Sequence, residues 1–140
     1  MNKAILRCIT IIASLSLFAC SEPQSYFDSH TQLHWMHCPA GQEYTDKQCV
    51  GTVITMHWDE SLRYCAGLEL GPLEWRLASR NELMQYYAHY KLQKMAVINL
   101  YWSSSTDASN SELAWYLVPG LNWLYANLKE LDGVVLCVAS

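Results

Sequence analysis

Cys20 is the residue whose position most plainly indicates chemistry, because it ends an uncharged apolar stretch in the sequence LFACSE. Lys3 and Arg7 precede the stretch, and no charge falls between Arg7 and Phe18. A basic start, a short apolar run and a small residue before the cut are typical of a secretory signal. The apolar run of about 11 residues is too short to span a hydrocarbon core, which takes about 20. We therefore predict a cleaved signal peptide over residues 1–19.

The sequence from Leu17 to Cys20 resembles the bacterial lipobox, in which the cysteine receives a diacylglyceryl thioether and becomes the new N-terminus. The resemblance implies that Cys20 carries a lipid anchor, to which each buried methylene contributes about 0.8 kcal/mol. Ser21 follows in place of an aspartate, and by resemblance to sorted lipoproteins this favours the outer membrane of a Gram-negative bacterium. Residues 20–34 are then expected to form the lipidated cysteine and a polar tether.

Removal of residues 1–19 would leave a chain of the size of one domain. The loss of Lys3 and Arg7 lowers the basic residues from 9 to 7 against 13 acidic residues, so the net charge changes from −4 to −6. This sign argues against nucleic acids and other polyanions as partners. Large aromatic residues are plentiful, and Trp75 and Trp102 are expected to lie in the core.

Four further cysteines form an even set in a chain that is predicted to reach an oxidising compartment. Four cysteines allow three pairings, and the sequence alone does not choose among them. The short loop between Cys38 and Cys49 is rich in turn-forming residues, which favours a local disulfide there. That pairing would leave Cys65 to join Cys137 and tie an early helix to the last strand. Zinc sites need close cysteine pairs such as CxxC, which the sequence lacks, so we predict no metal.

The periodicity of the chain predicts the elements that would hold these cysteines. The β-branched sequence TVITM at 52–56 predicts a strand, and apolar residues at helical spacing predict a helix from Trp58. Ser79 and Glu82 stand at capping-box spacing and predict the start of a second helix. After Asn99, short aromatic or β-branched runs separated by turn residues predict an antiparallel meander. The predicted fold class is therefore α+β, with two helices packed on an antiparallel sheet and two disulfides.

Several short motifs occur in a fixed order along the chain. They are MHWDE at 56–60, YC at 64–65, WRLASRNEL at 75–83, YWSSS at 101–105, AWY at 114–116 and CV at 137–138. In this combination the chain resembles the Lcl C-terminal domain family, a bacterial surface module similar to C-type-lectin-like and formylglycine-generating-enzyme-like folds. The resemblance implies a C-type-lectin-like domain over residues 35–140. The family often has basic residues beside the last cysteine, whereas Leu136 and Val138 stand here, which weighs against a shared polyanion-binding site.

Other patterns suggest catalysis or metal binding, but each has a simpler structural interpretation. His30, His34 and His37 could share a helical face, although no capping pattern precedes them and no acidic ligand follows Asp28 within the segment. The serine run at 103–105 lacks the GxSxG elbow of a nucleophile. We predict no catalytic residue, no metal and no cofactor, so the protein is not expected to be an enzyme.

The arginines of WRLASRNEL also have a structural interpretation. Arg76 and Arg80 are expected to pair with nearby acids such as Glu74 or Glu82.

The sequence GLNWLYANL at 120–128 carries the candidate ligand-binding residues, which combine flat aromatic rings with amide groups. They are Asn122, Trp123, Tyr125 and Asn127. In lectin-like folds such groups can stack on sugars or hold the edge of a protein. The alternative is that Trp123 and Tyr125 share the buried face of a strand.

Together these patterns predict a non-enzymatic, lipid-anchored envelope protein that acts as a binding or adhesion module for a glycan or another surface ligand. Its partners would be the membrane, through the lipid anchor, and that ligand, with no nucleic acid. The alternative function is a protein-binding inhibitor or immunity lipoprotein, or an accessory subunit of an envelope machine. The acidic balance favours this alternative modestly, because acidic proteins often mask basic surfaces.

Overall fold

The computed structural model describes residues 22–90, 99–121 and 123–140. Cys20 and the predicted signal peptide lie outside these residues, as does Asn122. The strands are β1 (Ser25–Asp28), β2 (Leu33–Met36), β3 (Gln42–Thr45), β4 (Gln48–Gly51), β5 (Thr55–Met56), β6 (Trp75–Leu77), β7 (Tyr101–Thr106), β8 (Leu113–Val118), β9 (Trp123–Leu128), β10 (Gly133–Val134) and β11 (Cys137–Ala139). The helices are α1 (Trp58–Ala66) and α2 (Arg80–Tyr90). The fold is therefore α+β, as the sequence predicts.

The first sheet has the order β1-β2-β11-β6 and is antiparallel throughout. Its N-terminal hairpin, β1–β2, runs from Ser25 to Met36 and so overlaps much of the segment 20–34 that the sequence predicts to be a tether. The polar residues of this segment build the turn of the hairpin. The buried carboxylate of Asp28 accepts hydrogen bonds from the backbone N–H of His30 at 3.2 Å and from the Thr31 hydroxyl at 2.6 Å.

The second sheet has the order β5-β10-β7-β8-β9 and is mixed. The prediction of a purely antiparallel C-terminal meander is wrong after β9, because β10 pairs parallel to β7 and β11 enters the first sheet. The backbone of Gly133 packs closely against the indole of Trp102, where a Cβ would come within 2.6 Å of the ring. Only glycine allows this approach without moving the tryptophan.

A small separate hairpin, β3–β4, follows β2 of the first sheet in the chain and precedes β5 of the second sheet. Asp46 and Lys47 form its turn with positive φ angles of 52° and 62°. The strand predicted over residues 52–56 is reduced to β5, Thr55–Met56. In the preceding loop, Ile54 donates its backbone N–H to the carbonyl of Ala40 at 2.8 Å, which draws the chain away from a sheet.

The start of α2 confirms the predicted capping box. Glu82 accepts the backbone N–H of Ser79 at 2.7 Å, and the Ser79 hydroxyl accepts the backbone N–H of Glu82 at 3.3 Å. The Arg76 guanidinium also donates two hydrogen bonds to the Glu82 carboxylate, at 2.8 and 2.7 Å. This bidentate pair fixes α2 to strand β6 and confirms the predicted role of Arg76.

Both disulfides form as the sequence favours. Cys38 bonds Cys49 across 11 residues and holds the β3–β4 hairpin to the end of β2. Cys65 bonds Cys137 across 72 residues and joins α1 to β11, the strand between β2 and β6 in the first sheet. Both atoms of the second bond are buried, and Trp75 and Trp102 lie in the same core as predicted.

Candidate functional site

The outer strand β9 carries the candidate ligand-binding residues, and alternation along it places Trp123, Tyr125 and Asn127 on one face. Trp123 is 64% exposed and Tyr125 is 38% exposed. The alternative interpretation, in which both rings lie on a buried strand face, is therefore wrong.

Four aromatic side chains form a continuous line across strands β7, β8 and β9, which we call the aromatic row. Trp102 meets Tyr116 edge to face, with ring centroids 6.0 Å apart. Tyr116 stacks on Tyr125 at 5.8 Å, and Tyr125 stacks on Trp123 at 6.4 Å with an interplanar angle of 22°. Exposure increases from the buried ring of Trp102 to the exposed ring of Trp123. The row thus leads from the core to the surface.

The register of the sheet aligns the aromatic row. Tyr116 lies directly opposite Trp102 on β7 and opposite Tyr125 on β9. Directly opposite residues project from the same face of a sheet, so the three rings are neighbours. Sequence inspection missed Tyr116 and the row as a unit, because the strand pairing that joins these distant residues is a tertiary feature.

Helix α2 covers the opposite face of the sheet. The Arg80 guanidinium lies 5.0 Å from the ring centre of Trp115, the neighbour of Tyr116 on β8. The Tyr87 hydroxyl donates a 2.5 Å hydrogen bond to the carbonyl of Pro119, in the 3-10 turn between β8 and β9. These contacts attach helix α2 to the β8–β9 hairpin on the face opposite the exposed rings, and so stabilise the strands that carry them.

Asn127 adds an amide group to the exposed end of the row. Its side-chain oxygen accepts the backbone N–H of Leu128 at 2.9 Å, which orients the amide. The amide nitrogen is then the group that can donate a hydrogen bond to a ligand.

The aromatic row itself contains no charged side chain. The nearest cation in sequence, Lys129, donates to the carbonyl of Ser111 at 2.6 Å and lies over the ring of Trp58 at 4.2 Å. The rings of the row and the Asn127 amide therefore offer stacking and neutral hydrogen bonding.

Comparison with known families identifies the domain. The family model of the Lcl C-terminal domain matches residues 24–139. The chain belongs to this family. The match begins just before β1, so the family domain includes the β1–β2 hairpin. No curated protein matches the chain significantly in sequence.

In this Lcl C-terminal domain, the three histidines of the N-terminal segment do not share a helical face. They lie on or beside the β1–β2 hairpin, where each ring packs against a different neighbour. His30 meets His89 at 3.4 Å, His34 meets Phe27 at 5.3 Å and His37 meets Tyr44 at 3.8 Å between ring centroids. The part of the chain that the structure describes holds no group of three or more His, Cys, Asp or Glu residues placed to bind a metal.

The serine run of the Lcl C-terminal domain takes part in structural hydrogen bonds. Ser103 is buried, and its hydroxyl donates to the carbonyl of Trp115 at 2.7 Å. The Ser105 hydroxyl accepts the backbone N–H of Arg80 at 3.1 Å, at the start of α2. These contacts join β7 to β8 and to the second helix.

Proposed function

We propose that the protein is a lipid-anchored envelope module that binds uncharged glycans through the exposed end of the aromatic row. The observation that carries the proposal is the stacked arrangement of Trp123 and Tyr125, with an interplanar angle of 22°, on an exposed surface. Flat rings of this kind can pack against the apolar faces of sugar rings, while hydroxyl and amide groups bond to sugar hydroxyls.

The rigidity of this surface supports a binding role. Each ring of the row is supported by the next, and the strands beneath them are held by α2 through Tyr87 and Pro119. These contacts restrict the side chains before a ligand binds, which reduces the conformational entropy that binding costs. A C-type-lectin-like fold, expected from the family resemblance, would agree with such a role.

The charge distribution supports a neutral ligand over a sulfated one. The aromatic row has no cation, Lys129 is engaged with Ser111 and Trp58, and the chain as a whole is acidic. A polyanion would meet repulsion without a compensating basic patch. The role proposed for the row is binding, through its ring faces and its hydroxyl and indole N–H groups.

Acylation of Cys20 would place this module close to a membrane surface. Gln24 bonds the backbone of Tyr44 through both ends of its amide, at 3.0 and 2.7 Å, so the free tether is short. Three intervening residues can span only about 14 Å between Cys20 and Gln24. Among the described residues, no helix is long and apolar enough to cross a membrane. The lipobox resemblance is what supports the proposed lipid anchor at Cys20, in the outer membrane.

Glycan binding is tested with the full chain, purified from the envelope, on arrays that hold both neutral and sulfated glycans. We expect retention on neutral glycans, and Trp123→Ala should weaken it by roughly tenfold or more. Phe27→Ala is the matched control, since Phe27 is also an exposed aromatic, at 53%, and lies on the first sheet. Equal losses for both variants, or binding only to sulfated glycans, would refute the proposal.

The anchor is tested by metabolic labelling with a fatty-acid analogue. We expect the full chain to carry the label and to fractionate with the outer membrane. Cys20→Ala should lose the label and leave the membrane fraction. Labelling that persists in this variant would place the lipid elsewhere.

A protein ligand is the second candidate. It is supported by the exposed apolar side chains of Leu121 and Leu128, which flank the aromatic residues in the sequence and resemble the anchors of protein interfaces. Crosslinking in the envelope, followed by mass spectrometry, separates the candidates. A stoichiometric partner that is lost in Trp123→Ala would favour an inhibitor, immunity or accessory role.

A further inference from the structure

Strand β9 forms one edge of the second sheet, and no strand among the described residues pairs with its outer side. Its sequence, WLYANL, contains neither a charge nor a proline. Natural edge strands usually carry such residues, because an open apolar edge can pair with another strand. The edge of β9 lacks this protection.

The hydrogen bonds of β9 show which backbone groups face outward. Lys129, directly after the strand, donates its N–H to Glu112 at 3.1 Å, in line with the register of Leu128 opposite Leu113. Bonding to the neighbour alternates along an antiparallel strand. Trp123, Tyr125 and Asn127 therefore bond to β8, whereas the N–H and C=O groups of Leu124, Ala126 and Leu128 point outward.

The outward groups of Leu128 are already engaged within the chain. Its N–H donates to the Asn127 side chain at 2.9 Å, and its carbonyl accepts the N–H of Leu131 at 3.1 Å. The edge that remains open consists of Leu124 and Ala126.

We propose that a second copy of this chain occupies this edge, with the two β9 strands antiparallel about a two-fold axis at Tyr125. In that register Leu124 pairs with Ala126 of the other copy. By symmetry, Ala126 pairs with Leu124 of the other copy. Each pair exchanges two hydrogen bonds, so the two open residues of each copy are all used. The two Tyr125 residues then lie directly opposite each other, as a non-hydrogen-bonded pair.

The charges beside β9 favour a second copy as the occupant. Lys129 and Glu130 lie in the turn after β9 and therefore outside the paired residues, so no like charges meet along the pairing. The strands themselves are uncharged, although the chain is acidic overall. Self-pairing here therefore avoids the repulsion that the rest of the surface would impose.

The two-fold axis is perpendicular to the plane of the sheet. The faces that carry the aromatic rows of the two copies therefore lie on the same side of the joined sheet. The two aromatic rows would then meet at Tyr125 and form one surface that crosses both copies. This pairing does not depend on glycan binding, since it rests on the backbone edge alone.

Cysteine crosslinking in cells that express the full chain tests the register. Directly opposite, non-hydrogen-bonded Cα atoms lie about 4.5 Å apart, within the range that a disulfide spans. Tyr125→Cys should therefore form a covalent dimer on a non-reducing gel. Trp123→Cys is the matched control, because its two copies would lie about 14 Å apart along the strands. The unchanged chain shows any background from Cys8 and Cys20.

The same register predicts a mixed crosslink. Differently tagged Trp123→Cys and Asn127→Cys chains, expressed together, should crosslink to each other and not to themselves. We expect at least a roughly tenfold excess of covalent dimer over each single-variant control, since disulfide geometry is specific. This measurement keeps Tyr125 intact and so remains valid if Tyr125→Cys folds poorly.

Ala126→Pro removes one outward N–H and leaves the bonds to β8 in place. We expect a monomer in native gel analysis, with thermal unfolding close to that of the unchanged chain. The proposal is overturned if Tyr125→Cys stays monomeric while its thiol reacts with maleimide, if Trp123→Cys crosslinks equally well, or if the crosslink joins a different protein.

Discussion

Strands β11 and β9 contain similar short apolar sequences, CVA and WLYANL, but their environments are opposite. β11 lies between β2 and β6, and all of its residues are buried. β9 lies at an edge, and the exposed fraction of Trp123 reaches 64%. The local sequence does not indicate which of the two strands is buried. A central strand buries both faces and both edges, whereas an edge strand leaves one edge and part of a face available for binding.

The two regions also differ in how they are fixed. β11 is bonded covalently to α1 by Cys65–Cys137 and is paired on both sides. β9 is paired on one side, and its end is held through the hydrogen bond from Tyr87 to Pro119. Stability is therefore expected to depend on the β11 region, and binding on the β9 region.

The largest effect should follow removal of the disulfide at β11. The double substitution of Cys65 and Cys137 by alanine should lower the free energy of unfolding by about 4 kcal/mol, because the bond closes a loop of 72 residues. The same change at Cys38 and Cys49, which close 11 residues, should cost about 3 kcal/mol. Urea denaturation measures both. An equal or larger loss at the small hairpin would contradict the ranking.

A leucine on β8 and a leucine on β9 allow the buried and exposed regions to be compared with the same substitution. Leu117 is fully buried, whereas Leu128 is 46% exposed. Leu117→Ala should lower the free energy of unfolding by about 3 kcal/mol, because it leaves a cavity. Leu128→Ala should cost less than about 1 kcal/mol. Similar losses in urea denaturation would show that β9 is packed as firmly as the core.

The Arg76–Glu82 pair should make stability depend on acid. Hydrogen bonds from the Arg76 guanidinium lower the pKa of Glu82 from its ordinary value of 4.5. The stabilisation is therefore present above that ordinary value and is lost as the pH falls through the lower pKa of the folded state. Glu82→Gln should cost about 1 kcal/mol at pH 7, since Arg76 is partly exposed, and should flatten this acid dependence. Thermal unfolding between pH 7 and pH 3 measures it, and an unchanged pH profile would contradict the prediction.

The smallest effect is expected at Asn127. Asn127→Ala should change the free energy of unfolding by only about 0.5 kcal/mol, because the side chain bonds locally at the edge. The N–H of Leu128, which Asn127 accepts, should then exchange faster with solvent. Hydrogen exchange at Leu128, compared with the inward N–H of Tyr125, measures the change. Equal acceleration at both positions would indicate loss of the whole strand.

Much of the fold could be predicted from local signals. The capping box of Ser79 and Glu82 is complete within four residues, so the start of α2 followed from the sequence alone. Cysteine number and loop length favoured the pairing that the structure confirms. The hairpin β1–β2 was missed, because polar residues such as Asp28 and Thr31 are typical of a tether. Their mutual hydrogen bond, which builds the turn of the hairpin, is visible only in the structure.

The candidate site shows the same division. The sequence placed Trp123 and Tyr125 among the candidate residues, since aromatic and amide groups alternate around them. It left open whether the rings are buried, and it did not reveal that Tyr116 and Trp102 continue the line. Strand order decides both points, because burial of a strand depends on its neighbours and not on its own residues.

The sequence by itself determined the family, the α+β class, the cysteine set and the helix start at Ser79, because these depend on residue type and on short spacing. Only the tertiary structure decided that β11 lies inside a sheet, that β9 lies at an edge, and that four rings align across three strands. The physical reason is that pairing between distant strands sets burial, and burial determines whether an apolar side chain stabilises the core or remains available to a ligand.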